Sequence, residues 1–317
     1  MTSADNDLPL AAITVTYSPG RLLGAMIDSL DEATSRKLRL VVADNGSTDG
    51  APERAAQRPG VELYHTGGNI GYGPAINAAA RRLRAPREEG EVDPEFFLVV
   101  NPDVEFSPGS IDALLECARR RPRAGALGPL IREPDGEAYP SARALPTLGV
   151  GVGHALLADI WPNNPWTRRY RAGSDLGRER AAGWLSGACL LLRWDAFEEL
   201  GGFDERYFMY FEDVDLGDRL GRAGWESVFY PGAEITHAQG HAAKGNRGIT
   251  VPAHHRSAYR YFADRHAAWW QAPLRLAVGA GLAARSVAGR EEPPPLLAGR
   301  PAITGAIDRA TRTVNEP

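Results

Sequence analysis

Acidic side chains that could act as acid–base catalysts gather at residues 207–225, next to a block of aromatic residues. They are Glu212, Asp213, Asp215 and Asp218. The apolar spacing from about Phe211 predicts a helix with one buried face, and acids in its first turn suit the positive end of the helix dipole. Asp215 and Asp218 also fit surface ion pairs with the arginines four positions later. The first two acids follow apolar residues, where burial would raise the pKa of a carboxyl and make a general base; a plain helix cap is the alternative.

Three loops carry further candidate residues, and each follows a predicted strand. Asp44 ends an apolar strand at residues 38–43 and opens a loop rich in turn formers. The glycine-rich loop at residues 67–73 lacks the glycine order of a dinucleotide fingerprint, so a turn and a phosphate cradle both fit. Residues 101–103 read Asn-Pro-Asp, and Asp103 suits either a turn acceptor or a ligand for a hard cation.

Alternating strands and helices must position these loops. Strands predicted at residues 10–17, 38–43, 61–65 and 96–100 alternate with helical patterns, one of them at residues 75–83, which is typical of a parallel α/β sheet. A later strand is predicted at residues 225–231. Ligands bind beyond the carboxyl ends of the strands in such sheets, so the three loops should converge on one crevice. His237 ends a later apolar run beside that crevice and suits metal binding or internal packing.

Composition bounds the class of protein. The 317 residues are 43% hydrophobic and 24% charged, as in ordinary globular domains, and the net charge of −4 gives no support to a nucleic-acid partner. Cys117 and Cys189 are expected to be buried small hydrophobes without a disulfide. The N-terminus lacks an apolar signal core, and no apolar run is long enough to span a membrane, so we expect a cytoplasmic protein.

The C-terminal region differs in character from the rest of the chain. Residues 253–290 hold six arginines against one aspartate, interleaved with aromatic and aliphatic residues. A basic, aromatic amphipathic helix suits an anionic membrane surface, although packing on the catalytic domain also fits and the two are compatible. Arg256 in this region could bind a phosphate group in the crevice.

Regular patterning fades at residues 139–180, which predicts a long active-site loop or a small subdomain; the loop would be an acceptor region if the chain transfers a group to an acceptor. Trp161 and Trp166 in it, and Trp184 just beyond it, could stack on a sugar or pack internally. The expected organisation is a disordered tail at residues 1–8, a catalytic domain at 9–240, a helical membrane-facing extension at 241–290 and a Pro-rich tail at 291–317.

The ordered set of motifs resembles the inverting family-2 glycosyltransferases of the GT-A fold. The motifs are Val15-Thr16-Tyr17, residues 44–50, 68–73, 101–103, 201–204 and 211–215, and His237. The resemblance covers roughly residues 10–240 and implies an α/β fold with a Rossmann-like mixed, mostly parallel sheet. It also implies a divalent metal, Mg²⁺ or Mn²⁺, and inversion in a single displacement.

The resemblance assigns roles to individual residues. Asp213, with Glu212 beside it, would be the general base, whereas Asp103 and His237 would hold the metal. The second histidine, His241, leaves open which of the two faces the metal. The donor-binding residues implied are Thr16, Tyr17, Asp44, Asn69, Gly71 and Asp103.

Further motifs resemble the actinobacterial rhamnosyltransferases of cell-wall linker assembly. They lie at residues 140–143, 161–166, 183–187 and 267–275. That branch moves L-rhamnose from dTDP-L-rhamnose to the 3-hydroxyl of GlcNAc-diphospho-polyprenol, which implies these two partners and a place at the inner face of the plasma membrane. Trp184, Ser186 and Gly187 would then bind the acceptor. Asn101 stands where other branches carry an acid, so one carboxylate would hold the metal.

Two other functions fit the same residues. A family-2 enzyme with another nucleotide-sugar donor or acceptor would keep every motif, because no residue distinguishes dTDP-rhamnose by physical argument. A non-catalytic sugar- or lipid-binding scaffold would have no need of Asp103 and Asp213, whose presence disfavours it. The sequence leaves a homodimer open.

Overall fold

The structure is a computed structural model that describes residues 8–146, 175–238 and 247–288. The predictions for Trp161, Trp166, His241 and the two terminal tails at residues 1–7 and 291–317 lie outside these described residues.

Twelve strands lie in the described part of the chain, and ten of them form one mixed sheet. The strands are β1 Leu10–Thr16, β2 Leu38–Asp44, β3 Val61–His65, β4 Phe96–Val100, β5 Val104–Phe106, β6 Ala124–Arg132, β7 Ala138–Tyr139, β8 Ala142–Arg143, β9 Arg180–Ala182, β10 Trp184–Leu185, β11 Cys189–Arg193 and β12 Glu226–His237.

The sheet has the order β3-β2-β1-β4-β11-β6-β12-β5. Strands β1 to β4 pair in parallel, whereas β11 lies antiparallel between β4 and β6. Strands β7 and β9 add to β6 and β12, and β8 pairs with β10 in a separate two-stranded ladder. This confirms the Rossmann-like mixed sheet, with its parallel half first in sequence and its antiparallel pairs near the site.

Helices cover both faces of the sheet. They are α1 Leu22–Ala33, α2 Ala51–Ala55, α3 Tyr72–Arg82, α4 Arg84–Glu88, α5 Ser110–Arg120, α6 Trp194–Glu199, α7 Glu212–Ala223, α8 Arg247–Arg265 and α9 Ala272–Ala288, with a 3₁₀ turn at Trp269–Gln271. Because side chains alternate along a strand, Leu10 and Ala12 of β1 face one core and Ala11 and Ile13 face the other. Helices α1 and α5 close the first core, and α3, α6 and α7 close the second.

Two predicted boundaries were wrong for reasons of proline chemistry. Helix α3 begins at Tyr72 rather than residue 75, because Pro74 is tolerated in a first helical turn. Strand β12 was predicted to break at Pro231 but runs on to His237, since the register shifts between Tyr230 and Glu234 and the proline lies in that bulge. The predicted burial of both cysteines as free thiols is confirmed.

The helical C-terminal segment divides into two parts. Helix α8 packs on the catalytic domain through four buried residues, Ala253, His254, Ser257 and Tyr261. The 3₁₀ turn and α9 instead expose Trp269, Trp270, Leu274 and Leu276. Among the described residues, no helix combines the length and the apolar character that crossing a bilayer requires.

Candidate active site

The ends of β1 and β2 meet in a buried hydrogen-bonded pair. Thr16 Oγ1 donates to Asp44 Oδ1 at 2.9 Å, and the amides of Gly46 and Ser47 donate to the same carboxylate at 3.2 and 3.1 Å. Burial raises the pKa of Asp44, but these hydrogen bonds outweigh burial and leave the pKa below its ordinary value. The ionised carboxylate therefore organises the loop that follows β2.

The loop after β1 is tied to the loop after β2. The Ser18 amide donates to Ser47 Oγ at 2.8 Å, and the Gly20 amide donates to Asp49 Oδ2 at 2.6 Å. Tyr17 stands out from this scaffold with 42% of its surface exposed. Of the predicted donor residues at this point, Tyr17 is the one whose ring is open to a ligand.

The glycine-rich loop packs against the segment that leads to Glu212 and Asp213. Asn45 Nδ2 donates to the Gly71 carbonyl at 3.1 Å, and the Tyr72 amide donates to the Phe208 carbonyl at 2.9 Å. A Cβ at Gly71, whose φ is +100°, would come within 2.5 Å of the Phe208 oxygen, so glycine is required there. Asn69 is exposed at the tip, and its Oδ1 accepts from the Gly71 amide at 3.3 Å.

A left-handed dipeptide precedes Glu212 and Asp213, the acids predicted to be catalytic. Tyr210 and Phe211 have φ values of +66° and +67°, a region that costs non-glycine residues energy and persists where the surroundings impose it. The turn places Glu212 and Asp213 in the first turn of α7, as the sequence predicted. His254 of α8 packs against both aromatic rings, with ring centroids 5.5 Å from each.

Glu212 and Asp213 differ in their surroundings. Glu212 is 7% exposed, and its Oε2 has no hydrogen-bond partner among the described residues. Burial raises the pKa of Glu212, and the charge of Asp213 raises it further. Burial also raises the pKa of Asp213, but amide hydrogen bonds oppose that rise: Gly187 donates to Oδ2 at 3.1 Å and Val214 to Oδ1 at 2.8 Å. The arrangement favours a proton on Glu212 and the negative charge on the partly exposed Asp213.

Tyr72 links the glycine-rich loop to this pair. Its hydroxyl donates to the Gly187 carbonyl at 2.7 Å, while the Gly187 amide donates to Asp213. Burial raises the pKa of Tyr72, and so do the charges of Glu212, Asp213, Cys189 and Asp103. The hydroxyl is therefore a neutral donor, and its surroundings include Asp103 as well as both acids.

Asp103 and His237 lie side by side, as the pairing of β5 with β12 requires. His237 Nε2 is 3.0 Å from Asp103 Oδ1 and 3.4 Å from Asn101 Nδ2. This oxygen and this nitrogen are spaced suitably for a divalent cation, because two adjacent ligands of an octahedral ion with bonds of about 2.1 Å lie about 3 Å apart. Among the described residues, this pair is not part of a cluster of three or more His, Cys, Asp or Glu side chains.

The predicted acceptor residues follow the ladder between β8 and β10. The Ser186 amide donates to the Ser141 carbonyl at 2.7 Å, and Trp184 Nε1 donates to the Ala144 carbonyl at 3.2 Å. A Cβ at Gly217 of α7 would lie 2.7 Å from Trp184 Cβ, so α7 packs tightly on this ladder. Gly187 contacts Asp213 directly, and the half-buried Trp184 lies three residues before it.

Two acids of α7 and one arginine of α8 differ from their predicted surroundings. Asp215 and Asp218 do pair with Arg219 and Arg222, but the prediction of surface pairs was wrong. Both acids are under 10% exposed, because Arg265 of α8 covers them. Arg256 is exposed on α8, and none of its contacts within the described residues connects it to the donor loops.

Sequence reasoning missed the roles of Tyr72 and Arg265. Tyr72 lay inside the glycine-rich motif, yet nothing in the motif indicated that its hydroxyl reaches Gly187, 115 positions away. Arg265 was counted as part of a basic surface, and only the packing of α8 shows that it pairs with buried acids.

The chain matches known protein families and individual relatives. The profile described as "Glycosyl transferase family 2" matches residues 11–201, and that described as "Glycosyl transferase family group 2" matches residues 168–280. The chain is 54% identical over 281 residues to an N-acetylglucosaminyl-diphospho-decaprenol L-rhamnosyltransferase of Mycobacterium tuberculosis, covering 87% of this chain and 91% of the relative. It is 23% identical over 254 residues to the rhamnosyltransferase WbbL of Escherichia coli, covering 80% of this chain and 92% of that one.

Solved structures share the GT-A-like fold. A mannosyltransferase from Pyrobaculum calidifontis in complex with GDP-Man and Mn²⁺ aligns with a TM-score of 0.56 at 17% identity, over 90% of this chain and 77% of that one. GalNAc-T7 with UDP, GalNAc and Mn²⁺ aligns with a TM-score of 0.52 at 16% identity, over 74% of this chain and 43% of that one. With its mixed sheet, its Glu-Asp pair at a helix N-terminus and its matched profile, this chain belongs to glycosyl transferase family 2.

Proposed function

We propose that this protein moves L-rhamnose, with inversion, from dTDP-L-rhamnose to the 3-hydroxyl of GlcNAc-diphospho-polyprenol during cell-wall linker assembly. The observation that carries the proposal is the 54% identity to the M. tuberculosis L-rhamnosyltransferase over 91% of that protein's length. The name of that relative specifies a GlcNAc-diphospho-decaprenol acceptor and a rhamnosyl product. The dTDP carrier of the sugar rests on the family resemblance.

Asp213 is the general base of this reaction. Its carboxylate is partly exposed, is fixed by two backbone amides and lies beside the predicted acceptor residues Ser186 and Gly187. It takes the proton of the acceptor hydroxyl as that oxygen attacks the anomeric carbon in a single displacement. Glu212 has the higher pKa and keeps its own proton, so the pair carries one negative charge and Asp213 is the ionised carboxylate that can accept a proton.

Asp103 and His237 hold the divalent cation, Mg²⁺ or Mn²⁺. Their side chains would supply one oxygen and one nitrogen ligand, and carboxylates together with substrate phosphates are common ligands of Mg²⁺. When bound, such an ion supplies positive charge to the leaving nucleoside diphosphate. Asn101 Nδ2 lies 3.4 Å from His237 Nε2 and so borders the cation position.

The donor nucleotide lies over the loops that follow β1 and β2. Tyr17 offers an exposed ring to the base, and Thr16 with Asp44 forms the buried support beneath it. Asn69 and Gly71 bring the glycine-rich loop alongside. Arg256 stays a candidate for the diphosphate from its exposed position on α8.

The 3₁₀ turn and α9 contact the anionic inner face of the plasma membrane, where a lipid-linked acceptor resides. Trp269 and Trp270 are 82% and 67% exposed, and Leu276 is 72% exposed. Such side chains favour the boundary between headgroups and acyl chains, and the arginines of this region favour anionic lipids. Helix α8 connects this surface to the catalytic helix.

A donor panel tests the assignment. The protein is incubated with Mg²⁺, a short-chain GlcNAc-diphosphoprenol and dTDP-L-rhamnose, UDP-glucose, UDP-galactose or GDP-mannose in turn, and products are identified by mass. We expect a rhamnosyl-GlcNAc product from dTDP-L-rhamnose. Transfer from a different donor would support the glycosyltransferase assignment but change the assigned donor sugar. Ligand binding without any transfer would favour the non-catalytic scaffold.

A further inference from the structure

Arg143 lies on the ladder that carries the predicted acceptor residues. It pairs with Trp184 across the β8–β10 register, and Ala142 pairs with Leu185. Its Nε donates to the Pro140 carbonyl at 2.8 Å. Its Cζ lies 5.6 Å from the centre of the Tyr139 ring and 5.9 Å from that of Trp184. The two aromatic rings and the carbonyl limit the orientations open to the guanidinium.

The same ladder is fixed rigidly to the general base. The chain runs from Trp184 to Gly187, whose amide donates to Asp213 Oδ2 at 3.1 Å. Gly217 of α7 packs against the backbone of Gly183, where a Cβ would lie 2.6 Å from the carbonyl oxygen. Arg143 is among the charged groups that act on Asp213, where its positive charge opposes the rise in pKa that burial causes.

We propose that Arg143 binds the diphosphate of the lipid-linked acceptor. The proposal rests on the proposed function, in which the acceptor hydroxyl lies at Asp213. In GlcNAc the 3-hydroxyl and the phosphate on the anomeric carbon are separated by one sugar ring. Arg143 is the cross-strand neighbour of Trp184, which lies three residues before the glycine that contacts the base. A GlcNAc ring whose 3-hydroxyl lies at Asp213 can therefore direct its phosphates toward this cation.

Arginine suits this role better than lysine would. Its planar guanidinium matches two phosphate oxygens at once, and contacts of this charge-assisted kind are about twice as strong as neutral hydrogen bonds. The flanking rings of Tyr139 and Trp184 stack on the guanidinium and preorganise it. The residue would therefore contribute to acceptor recognition and leave donor recognition unchanged.

An alternative role for Arg143 is purely electrostatic tuning of Asp213. The two roles differ in their dependence on the acceptor, since tuning of the base affects every acceptor by the same factor. A phosphate-binding role affects only acceptors that carry phosphate. Steady-state kinetics on two acceptors therefore separate them.

The variants are Arg143→Gln and Arg143→Lys, with Arg180→Gln as the matched control. Arg180 donates from Nη2 to the Ala142 carbonyl on the same strand, so its loss disturbs β8 without removing Arg143. For each full-length variant, kcat and KM are measured with a short-chain GlcNAc-diphosphoprenol and with octyl β-GlcNAc, which has no phosphate. Circular dichroism verifies folding.

We expect Arg143→Gln to raise the KM for the diphosphate acceptor by at least about tenfold, the effect of losing a charged hydrogen bond. Its kcat/KM with octyl β-GlcNAc and its KM for dTDP-L-rhamnose should stay within about twofold of wild type, and Arg143→Lys should recover part of the loss. Equal losses on both acceptors, or a loss as large in Arg180→Gln, would overturn the proposal.

A binding measurement keeps this test independent of rhamnosyl transfer. Calorimetry measures the affinity for farnesyl diphosphate in the presence of saturating dTDP, which fills the donor site. We expect Arg143→Gln to weaken this affinity at least about tenfold. If wild type transfers no rhamnose but the two proteins differ in this affinity, the donor assignment is wrong and the Arg143 site is supported. If the two proteins bind farnesyl diphosphate equally well, Arg143 does not bind the diphosphate, whichever donor the enzyme uses.

Discussion

The Gly187 amide donates to Asp213 Oδ2 at 3.1 Å, so the peptide that follows β10 fixes the carboxylate that we propose as the general base. The carbonyl of Gly187 accepts from the Tyr72 hydroxyl at 2.7 Å, which fixes the orientation of that peptide. A Cβ at Gly187 would lie 3.5 Å from Tyr72 and 3.6 Å from Asp213, within ordinary packing distance. The glycine-rich loop, the acceptor strand and the catalytic helix therefore form one connected unit.

Tyr72→Phe should move the pH profile of the reaction. Loss of the hydroxyl frees the Gly187 peptide and weakens the hydrogen bond that opposes the raised pKa of Asp213. The base must be ionised, so a higher pKa shifts the acid limb of kcat/KM to higher pH, and we expect a loss of about tenfold in kcat at neutral pH. Tyr64→Phe, on β3, is the control. An acid limb that coincides with that of wild type would show that Tyr72 does not position the base.

Glu212→Gln should change how stability depends on pH. Because burial raises the pKa of Glu212 in the folded state, the folded protein binds more protons than the unfolded chain above the ordinary glutamate value. The free energy of unfolding then falls as pH rises from about 4.5 toward the raised folded value. Glutamine has no proton to lose, so this contribution disappears.

The expected gain for Glu212→Gln over wild type grows with pH and reaches on the order of 2 kcal/mol above neutrality. Urea denaturation at a series of pH values from 5 to 8 measures it. Parallel stability curves for the two proteins would mean that Glu212 is already ionised in the folded state. Activity at pH 7 should stay within about threefold of wild type, since the amide mimics the neutral acid.

Arg265→Ala should destabilise the protein much more than Arg222→Ala. Both arginines contact Asp218, but the Arg265 side chain is 17% exposed and that of Arg222 is 65% exposed. Removing one partner of a buried pair leaves a buried charge and costs about 3 kcal/mol, whereas an exposed pair contributes about 1 kcal/mol or less. Chemical denaturation of both variants gives the comparison. Equal losses would mean that α8 does not shield these acids in solution.

Replacing both Trp269 and Trp270 by serine should detach the protein from anionic vesicles. These exposed indoles supply the apolar part of the proposed membrane contact, so we expect affinity to fall by at least about tenfold. Flotation with phosphatidylglycerol vesicles measures binding, and phosphatidylcholine vesicles isolate the part that depends on charge. Ile70→Ser, which removes an exposed apolar side chain from the glycine-rich loop, is the control. Unchanged flotation of the double variant would place the membrane contact elsewhere.

The sequence predicted the parallel half of the sheet well, because each strand there is a continuous apolar run between turns. The predicted bounds of Val61–His65 and Phe96–Val100 agree with the structure. The strands of two or three residues, such as Val104–Phe106 and Ala142–Arg143, were missed. Segments this short carry no periodicity, and pairing with distant strands defines them.

The site was predictable only in part for a similar reason. The position of Glu212 and Asp213 at a helix N-terminus followed from local spacing, as did the placement of Asp44 and Asp103 at strand ends. The contacts of Tyr72 with Gly187 and of Arg265 with Asp218 cross more than forty positions and have no local pattern. The arginine-rich composition of α8 is compatible with a helix on a membrane surface and with a helix packed on the protein. The structure shows that α8 is packed on the protein.

Product formation by wild type and Asp213→Asn tests the central claim most directly. Each protein is given dTDP-L-rhamnose and a short-chain GlcNAc-diphosphoprenol, with Mg²⁺ or with EDTA, and donor binding is measured in parallel. We predict rhamnosyl-GlcNAc product from wild type with Mg²⁺, little with EDTA, and a loss of at least about a hundredfold in Asp213→Asn with donor affinity retained. Undiminished turnover by Asp213→Asn would contradict the assignment of the base, and a folded, donor-binding wild type that forms no product would contradict the proposed rhamnosyl transfer.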